Sequence, residues 1–268
     1  MKHRISYVAI ALAMSLSASA KPALAQIVPQ AKTSDGPAVT TFGVNTLMAW
    51  AGNSSETQDG QTIHKLGYKL HDLASGTWQG QQIMPYKAIN TTAAPALATA
   101  EAQGDGINYA YMAWGQGDGL MHYAVWDYSA NGFSTTDPAV CDTTLCQTIA
   151  SPALAGDGST VYAAWTRPSN LVHYASYSGG AWTVYSAALP NALSTVAPAI
   201  AAHGTDLYIA WVAEDASVQV EHTPLPLSST SVWTTLPALP SLTAVAPSLL
   251  HRRRQPQAPY LASSCLEQ

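Results

Sequence analysis

Short apolar and aromatic runs, each four to seven residues long and bounded by turn residues, recur along the whole chain. The stretch 197–236 shows the pattern clearly, with predicted strands over residues 197–202, 206–212, 217–222 and 232–236. These runs are rich in Val, Ile, Tyr, Trp and Ala, side chains that suit a pleated surface. Asp105-Gly106, Asp118-Gly119, Asn131-Gly132 and Asp157-Gly158 fall in the gaps between runs. A tight strand-to-strand turn needs a positive φ, which Gly and Asn adopt at little cost. No window carries the 3.6-residue apolar period of a helix. The chain reads as all-β.

The runs belong to a repeat. A small-Pro-small-apolar motif appears as Gly36-Pro37-Ala38-Val39, Ala94-Pro95-Ala96-Leu97, Ser151-Pro152-Ala153-Leu154, Ala197-Pro198-Ala199-Ile200 and Ala246-Pro247-Ser248-Leu249. The prolines are spaced 58, 57, 46 and 49 residues apart. An apolar-x-Ala-Trp motif ends at Trp50, Trp114, Trp165 and Trp211, 13 residues after the proline in three copies and 19 in the second. Nine residues further on stand Tyr123, Tyr174 and Val220, while Tyr68 follows its Trp by 18 because residues 51–62 form an insertion. A closing aromatic completes each copy at Trp78, Phe133, Trp182 and Trp233. A period near 50 with four strands inside it marks propeller blades, because one four-stranded sheet cannot bury both its faces alone. The expected fold is a β-propeller of four-stranded antiparallel blades, about four complete with a partial fifth. The expected blades are 36–93, 94–150, 151–196 and 197–245, with the fifth starting at 246.

The ends differ from this body. Lys2, His3 and Arg4 precede an apolar run over residues 5–19 and a small-x-small site at Ala23-Leu24-Ala25. That is the layout of a signal peptide over 1–25, cleaved near Ala25, and it implies a secreted or periplasmic protein. Residues 26–35 read as a flexible N-terminal segment, and 251–268 as an irregular tail that opens with His251-Arg252-Arg253-Arg254, as a frameshift would leave. No later stretch is apolar enough over sufficient length to insert in a membrane.

Charge narrows the partners. Between residues 26 and 250 the cations are Lys32, Lys65, Lys69, Lys87 and Arg167, against fifteen Asp and Glu. Such a surface repels phosphate backbones, so nucleic acid is not an expected partner. Cys141 and Cys146 are close enough to close a small loop as a disulfide in an oxidising compartment. No His stands at ligand spacing beside them, and no cofactor or metal is expected.

The pattern Pro-Ala-Leu-Ala, then Leu-Tyr-x-Ala-Trp, then a closing Gly-x-Trp, resembles the repeats of secreted bacterial sialidase-like and lectin-like β-propellers, and covers residues 36–250. Ser75-Gly76-Thr77-Trp78 and Gly179-Gly180-Ala181-Trp182 resemble Asp-box turns, without the acid and glycine in register. Sialidases of this kind hold the substrate carboxylate with three arginines, whereas the repeats here contain Arg167 alone. There is also no nucleophile elbow, P-loop or H-E-x-x-H motif. The resemblance therefore implies a non-catalytic, lectin-like module that recognises glycans. A truncated remnant of a secreted glycoside hydrolase and a cell-surface protein-protein scaffold are the alternatives.

Eight Trp and thirteen Tyr against two Phe supply apolar faces with polar handles, as sugar recognition requires. In an up-and-down blade, the loops between strands 2 and 3 share one face with the links between blades. That face places Gln116, Asp118, Arg167, Asn170, Glu214 and Asp215 beside Trp114, Trp165 and Trp211 as candidate ligand contacts. The same three indoles serve equally as wedges between blades. His122 and His173 occupy one register in successive copies, as packing residues or as a shared metal site.

Overall fold

The computed structural model describes residues 35–237, apart from 59, 86–88 and 137. The signal peptide, nearly all of segment 26–35, the fifth proline motif, the tail and Cys265 lie outside these residues. Among the described residues no helix is long and apolar enough to cross a membrane.

The first sheet orders β1 (Ala38–Phe42), β2 (Asn45–Gln58), β3 (Gln61–Asp72) and β4 (Thr77–Trp78), with β5 (Gln82–Ile83) and β6 (Asn90–Thr91) also pairing with β3. The second contains β7 (Ala96–Ala100), β8 (Tyr109–Gly115), β9 (Met121–Asp127) and β10 (Gly132–Phe133). A 3₁₀ turn at Thr144–Cys146 lies in the link that follows. The third contains β11 (Ala153–Gly156), β12 (Val161–Thr166), β13 (Val172–Ser178) and β14 (Ala181–Val184). The fourth contains β15 (Ala199–His203), β16 (Asp206–Val212), β17 (Val218–Pro224) and β18 (Thr234–Thr235). Every pairing is antiparallel, and apart from β5 and β6 on β3 each joins chain neighbours, so each sheet is an up-and-down meander.

The repeat landmarks occupy equivalent places. Tyr68, Tyr123, Tyr174 and Val220 pair with Ala49, Ala113, Ala164 and Ala210, each the alanine before the conserved-register Trp. Proline opens each first strand, where its missing N–H is not needed. These first strands also stack in series: β1 lies against β7, β7 against β11, and β11 against β15. The approach is close, since a Cβ on Gly156 would lie 2.1 Å from the Thr99 carbonyl oxygen. Only glycine fits there.

Faces pack sheet against sheet. Trp114 joins Leu47, Ala49 and Tyr68 of the first sheet in one cluster, and Trp165 joins Met121 and Val140 of the second-sheet region in another. Trp211 meets Ala164, Val172 and Tyr174 of the third sheet. The wedge role thus holds for all three indoles. As a result β12 is buried at every position, with apolar residues on both of its faces.

One expectation changes. Residues 51–62 form no loop, because β2 and β3 run on as a two-stranded ribbon with a register shift between Ala51 and Ser55. Its polar Ser, Thr and Gln residues pair as strands, and Ile63 anchors it, 4% exposed. A Cβ on Gly117 would meet Ile63 Cγ2 at 2.9 Å, so the ribbon leans over the second sheet's β8–β9 turn.

Candidate functional site

Three sheets share one turn between strands 2 and 3. Gly119 N–H donates to Gln116 O, Asn170 N–H to Arg167 O, and Ala216 N–H to Ala213 O, at 2.8–2.9 Å. Gly119, Asn170 and Ala216 all have positive φ, at 84°, 63° and 63°. Asn170 is thus explained by backbone conformation, since its short amide tolerates the left-handed region.

The other candidates on this face have structural duties as well. Trp114 and Trp165 are fully buried and Trp211 is 5% exposed, so no indole offers a face to a ligand. Gln116 Oε1 accepts the Trp114 indole N–H at 3.3 Å, and the Trp165 indole donates to Leu145 O at 2.9 Å. Asp118 Oδ1 accepts Leu120 N–H, and Oδ2 lies 2.9 Å from His122 Nε2. Asp215 Oδ1 accepts Ser217 N–H, closing the equivalent turn, while Glu214 is exposed. Arg167 Nη1 lies 3.1 Å from His173 Nε2, and burial beside that guanidinium pushes the imidazole down to about 4. A neutral imidazole accepting through Nε2 carries its proton on Nδ1. Each histidine engages its own sheet's turn. Among the described residues no three His, Cys, Asp or Glu side chains gather to hold a metal.

Cys141 and Cys146 are joined as a disulfide. It closes the 3₁₀ turn whose Leu145 carbonyl receives Trp165, so it positions a wedge rather than a ligand.

Two grooves among the described residues lie toward the opposite end of the sheets, which carries the turns between strands 1 and 2 and between 3 and 4. A groove of about 460 Å³ runs between the third sheet and the β17–β18 loop of the fourth. Tyr174 and Tyr185 stack beneath it, with centroids 5.1 Å apart and planes at 23°. The Tyr185 hydroxyl lies 3.0 Å from Ser176 Oγ. Ser178, Thr183 and Ser186 add hydroxyls from the third sheet, and Leu227, Ser228 and Ser229 close the far side. No charged residue lines it. Burial raises the Tyr174 phenol, which therefore stays neutral. The groove offers hydroxyl donors and acceptors over a pair of aromatic rings that are themselves buried.

A second, more open groove of about 510 Å³ lies on the second sheet, with Tyr109, Trp126 and Tyr128 beside Asp105 and Asp127. The Tyr109 hydroxyl donates to Asp105 at 2.7 Å and holds that carboxyl below its usual range. Asp127 is held low by the Ser129 hydroxyl and the Ser129 and Ala130 amides. Both are therefore ionised at neutral pH, and neither suits the protonated acid that glycoside cleavage requires. The carboxyl that burial does raise, Glu221, accepts from Thr235 and lines neither groove.

No protein-family model and no curated protein matches the chain. Solved structures do. The fucose-specific lectin from Aleuria aurantia superposes with a TM-score of 0.54 at 15% identity, covering 81% of this chain and 65% of that one. A point mutant of the Aleuria aurantia lectin in complex with Fucα1-6GlcNAc gives 0.53 at 15%, covering 81% and 66%. AofleA from Arthrobotrys oligospora gives 0.50 at 11%, covering 76% and 57%. The Aleuria lectin is described as a six-bladed β-propeller. This chain has a β-propeller fold. It spans 57–66% of the length of these three chains.

None of the nine candidate contacts read from the sequence lines either groove. Sequence reasoning passed over Tyr174, Ser176 and Ser178, although their alternation places all three on one sheet face. It also passed over a buried Ser or Thr four residues before Pro95, Pro152 and Pro198. Thr91, Thr148 and Ser194 fold back on the backbone two residues ahead, to Ala93, Ala150 and Val196.

Proposed function

We propose that this chain is an exported, non-catalytic carbohydrate-binding propeller whose groove between the third and fourth sheets takes a neutral sugar ring. The uncharged wall of hydroxyls around Tyr174 and Tyr185 carries the reading. A sugar ring presents hydroxyls to fixed polar groups, and this groove supplies them over buried tyrosines with no charge to desolvate. The lectins of similar fold add support, since their descriptions name fucose and a fucosylated disaccharide as ligands. The leader-like residues 1–25 fit export to where glycans are displayed. Four complete blades with a partial fifth fit a chain that covers about two thirds of a six-bladed propeller.

A glycan array with residues 26–250 tests this directly. Binding to neutral glycans is expected. Ser186→Trp, an exposed position that fills the groove, should weaken it by about tenfold or more, and Glu214→Ala on the other face should leave it unchanged. A silent array, or binding lost through Arg167→Ala and kept in Ser186→Trp, would overturn the reading.

A further inference from the structure

The groove on the second sheet uses the same repeat positions as the neutral one, with different chemistry. Counted from Trp114 and Trp165, Val125 stands where Ser176 does, and Asp127 where Ser178 does. Ser134, whose N–H reaches Val125 O, matches Thr183, the cross-strand partner of Ser176. A carboxylate thus replaces a hydroxyl, and Asp105 adds a second from the turn between β7 and β8. Both are held low by hydrogen bonds, and no Lys, Arg or His lines the groove. Among the described residues neither carboxylate pairs with a cation. Asp127 Oδ1 takes the Ser129 hydroxyl and the Ser129 and Ala130 amides, which leaves Oδ2 without a donor among those residues.

An exposed aromatic face stands beside these charges. Tyr128 is 53% exposed yet fixed in place, with its ring 5.6 Å from Phe42 and 5.5 Å from Tyr109 and its hydroxyl donating to Asn108 O. A cation is drawn to such a ring face as it is to a carboxylate. Asp105 reaches this groove at the expense of the core. In the third sheet Asp157, from the equivalent turn, accepts the buried Tyr162 hydroxyl at 2.7 Å. In the second sheet Asp105 accepts Tyr109 instead. Tyr111, in the register of Tyr162 and 0% exposed, is left with a hydroxyl that has no hydrogen-bond partner. Burial raises that phenol first, and the charges of Tyr177, Asp105 and Tyr109 add to the effect, so it lies directly behind the groove wall. A buried hydroxyl without a partner is costly, and here the cost keeps Asp105 on the groove.

We propose that the groove on the second sheet binds the protonated amine of an amino sugar, with the ammonium between Asp105 and Asp127 and against the ring of Tyr128. The ammonium donates to Asp127 Oδ2, while Tyr109 fixes the Asp105 carboxylate. Acetylation of the amine removes the charge that both acids recognise. The choice of a sugar rests on the carbohydrate reading above; the ammonium site does not.

Calorimetric titration of the full chain with a glucosamine tetramer tests the proposal, with the N-acetylated tetramer as control. The Ser186→Trp background keeps binding in the neutral groove out of the signal. The amine form should bind about tenfold or more tighter than the acetylated form, and weaken about fivefold from low to high salt. Asp127→Asn keeps the acceptor oxygen of the turn and removes the charge. That change and Tyr128→Leu should each weaken binding about fivefold or more, whereas Tyr128→Phe keeps the ring and should bind as the parent does. Near-UV circular dichroism checks folding, and Asp127→Asn with the salt series decides if Tyr128→Leu does not fold. No binding of the amine tetramer, equal affinity for both forms, or affinity unchanged in Asp127→Asn would each overturn the proposal. If neutral glycans still bind the array, that failure strikes this inference alone. Tighter binding of a lysine-rich peptide than of the tetramer would also overturn it and assign the groove to basic polypeptide.

Discussion

Trp165 packs on both the second and third sheets and spends its one polar atom on Leu145 O. Removing so large a buried ring leaves a cavity at a junction that cannot collapse from either side. Trp165→Ala should therefore lower unfolding free energy by about 3–5 kcal/mol, read from urea titration. Two ionisable side chains bring opposite pH signatures. Glu221 is buried and its carboxyl is raised, so the folded state holds the proton more tightly than the unfolded chain. The stability it contributes is present at low pH and is withdrawn as pH rises through the folded-state value. Glu221→Gln should remove that dependence and stabilise the protein at neutral pH. His173 is lowered to about 4 from an unfolded value near 6.5, so its contribution is present above about 6.5 and is lost as pH falls toward 4. His173→Gln should flatten melting temperature against pH over that window. The sequence showed His173 only as a repeated register position; the burial that decides its protonation comes from the neighbouring sheet.

At the scale of elements, the meander was legible because its landmarks have one job each. Proline starts a strand, Ala-Trp marks the buried second strand, and a closing aromatic marks the fourth. The first sheet's ribbon was less legible, since residues 51–62 are polar and strand pairing, not composition, distinguishes a ribbon from a loop. The grooves were illegible for a related reason. Ser176, Ser178 and Thr183 are ordinary sheet-surface residues until the fourth sheet's Leu227–Ser229 approaches across a gap. Close contacts between elements yield their own expectations. Gly156→Ala sets a Cβ against backbone at Thr99 and should cost about 1–3 kcal/mol, with the urea slope unchanged. Replacing Cys141 and Cys146 by Ser opens a short loop and should cost about 2 kcal/mol by chain entropy, measured against the reduced parent as control.

Across the whole molecule, sparse charge and a neutral groove make one further expectation. If the groove takes a neutral sugar as proposed, affinity should change by less than about twofold between low and high salt, because no charged residue lines it. The links between sheets also govern how the molecule divides. Val140 N–H donates back to Met121 O of the second sheet, and Ile149 N–H donates forward to Thr166 O of the third. The next link is tied back to the third sheet twice, by Leu189 N–H on Val172 O and by the Thr166 hydroxyl on Val196 O. A cut between sheets would tear these stitches, whereas a nick at the exposed β9–β10 turn around Ala130 would spare them. The transplantable module is accordingly offset by most of a sheet from the visible one, and fragments swapped or recombined at that turn should stay clasped together.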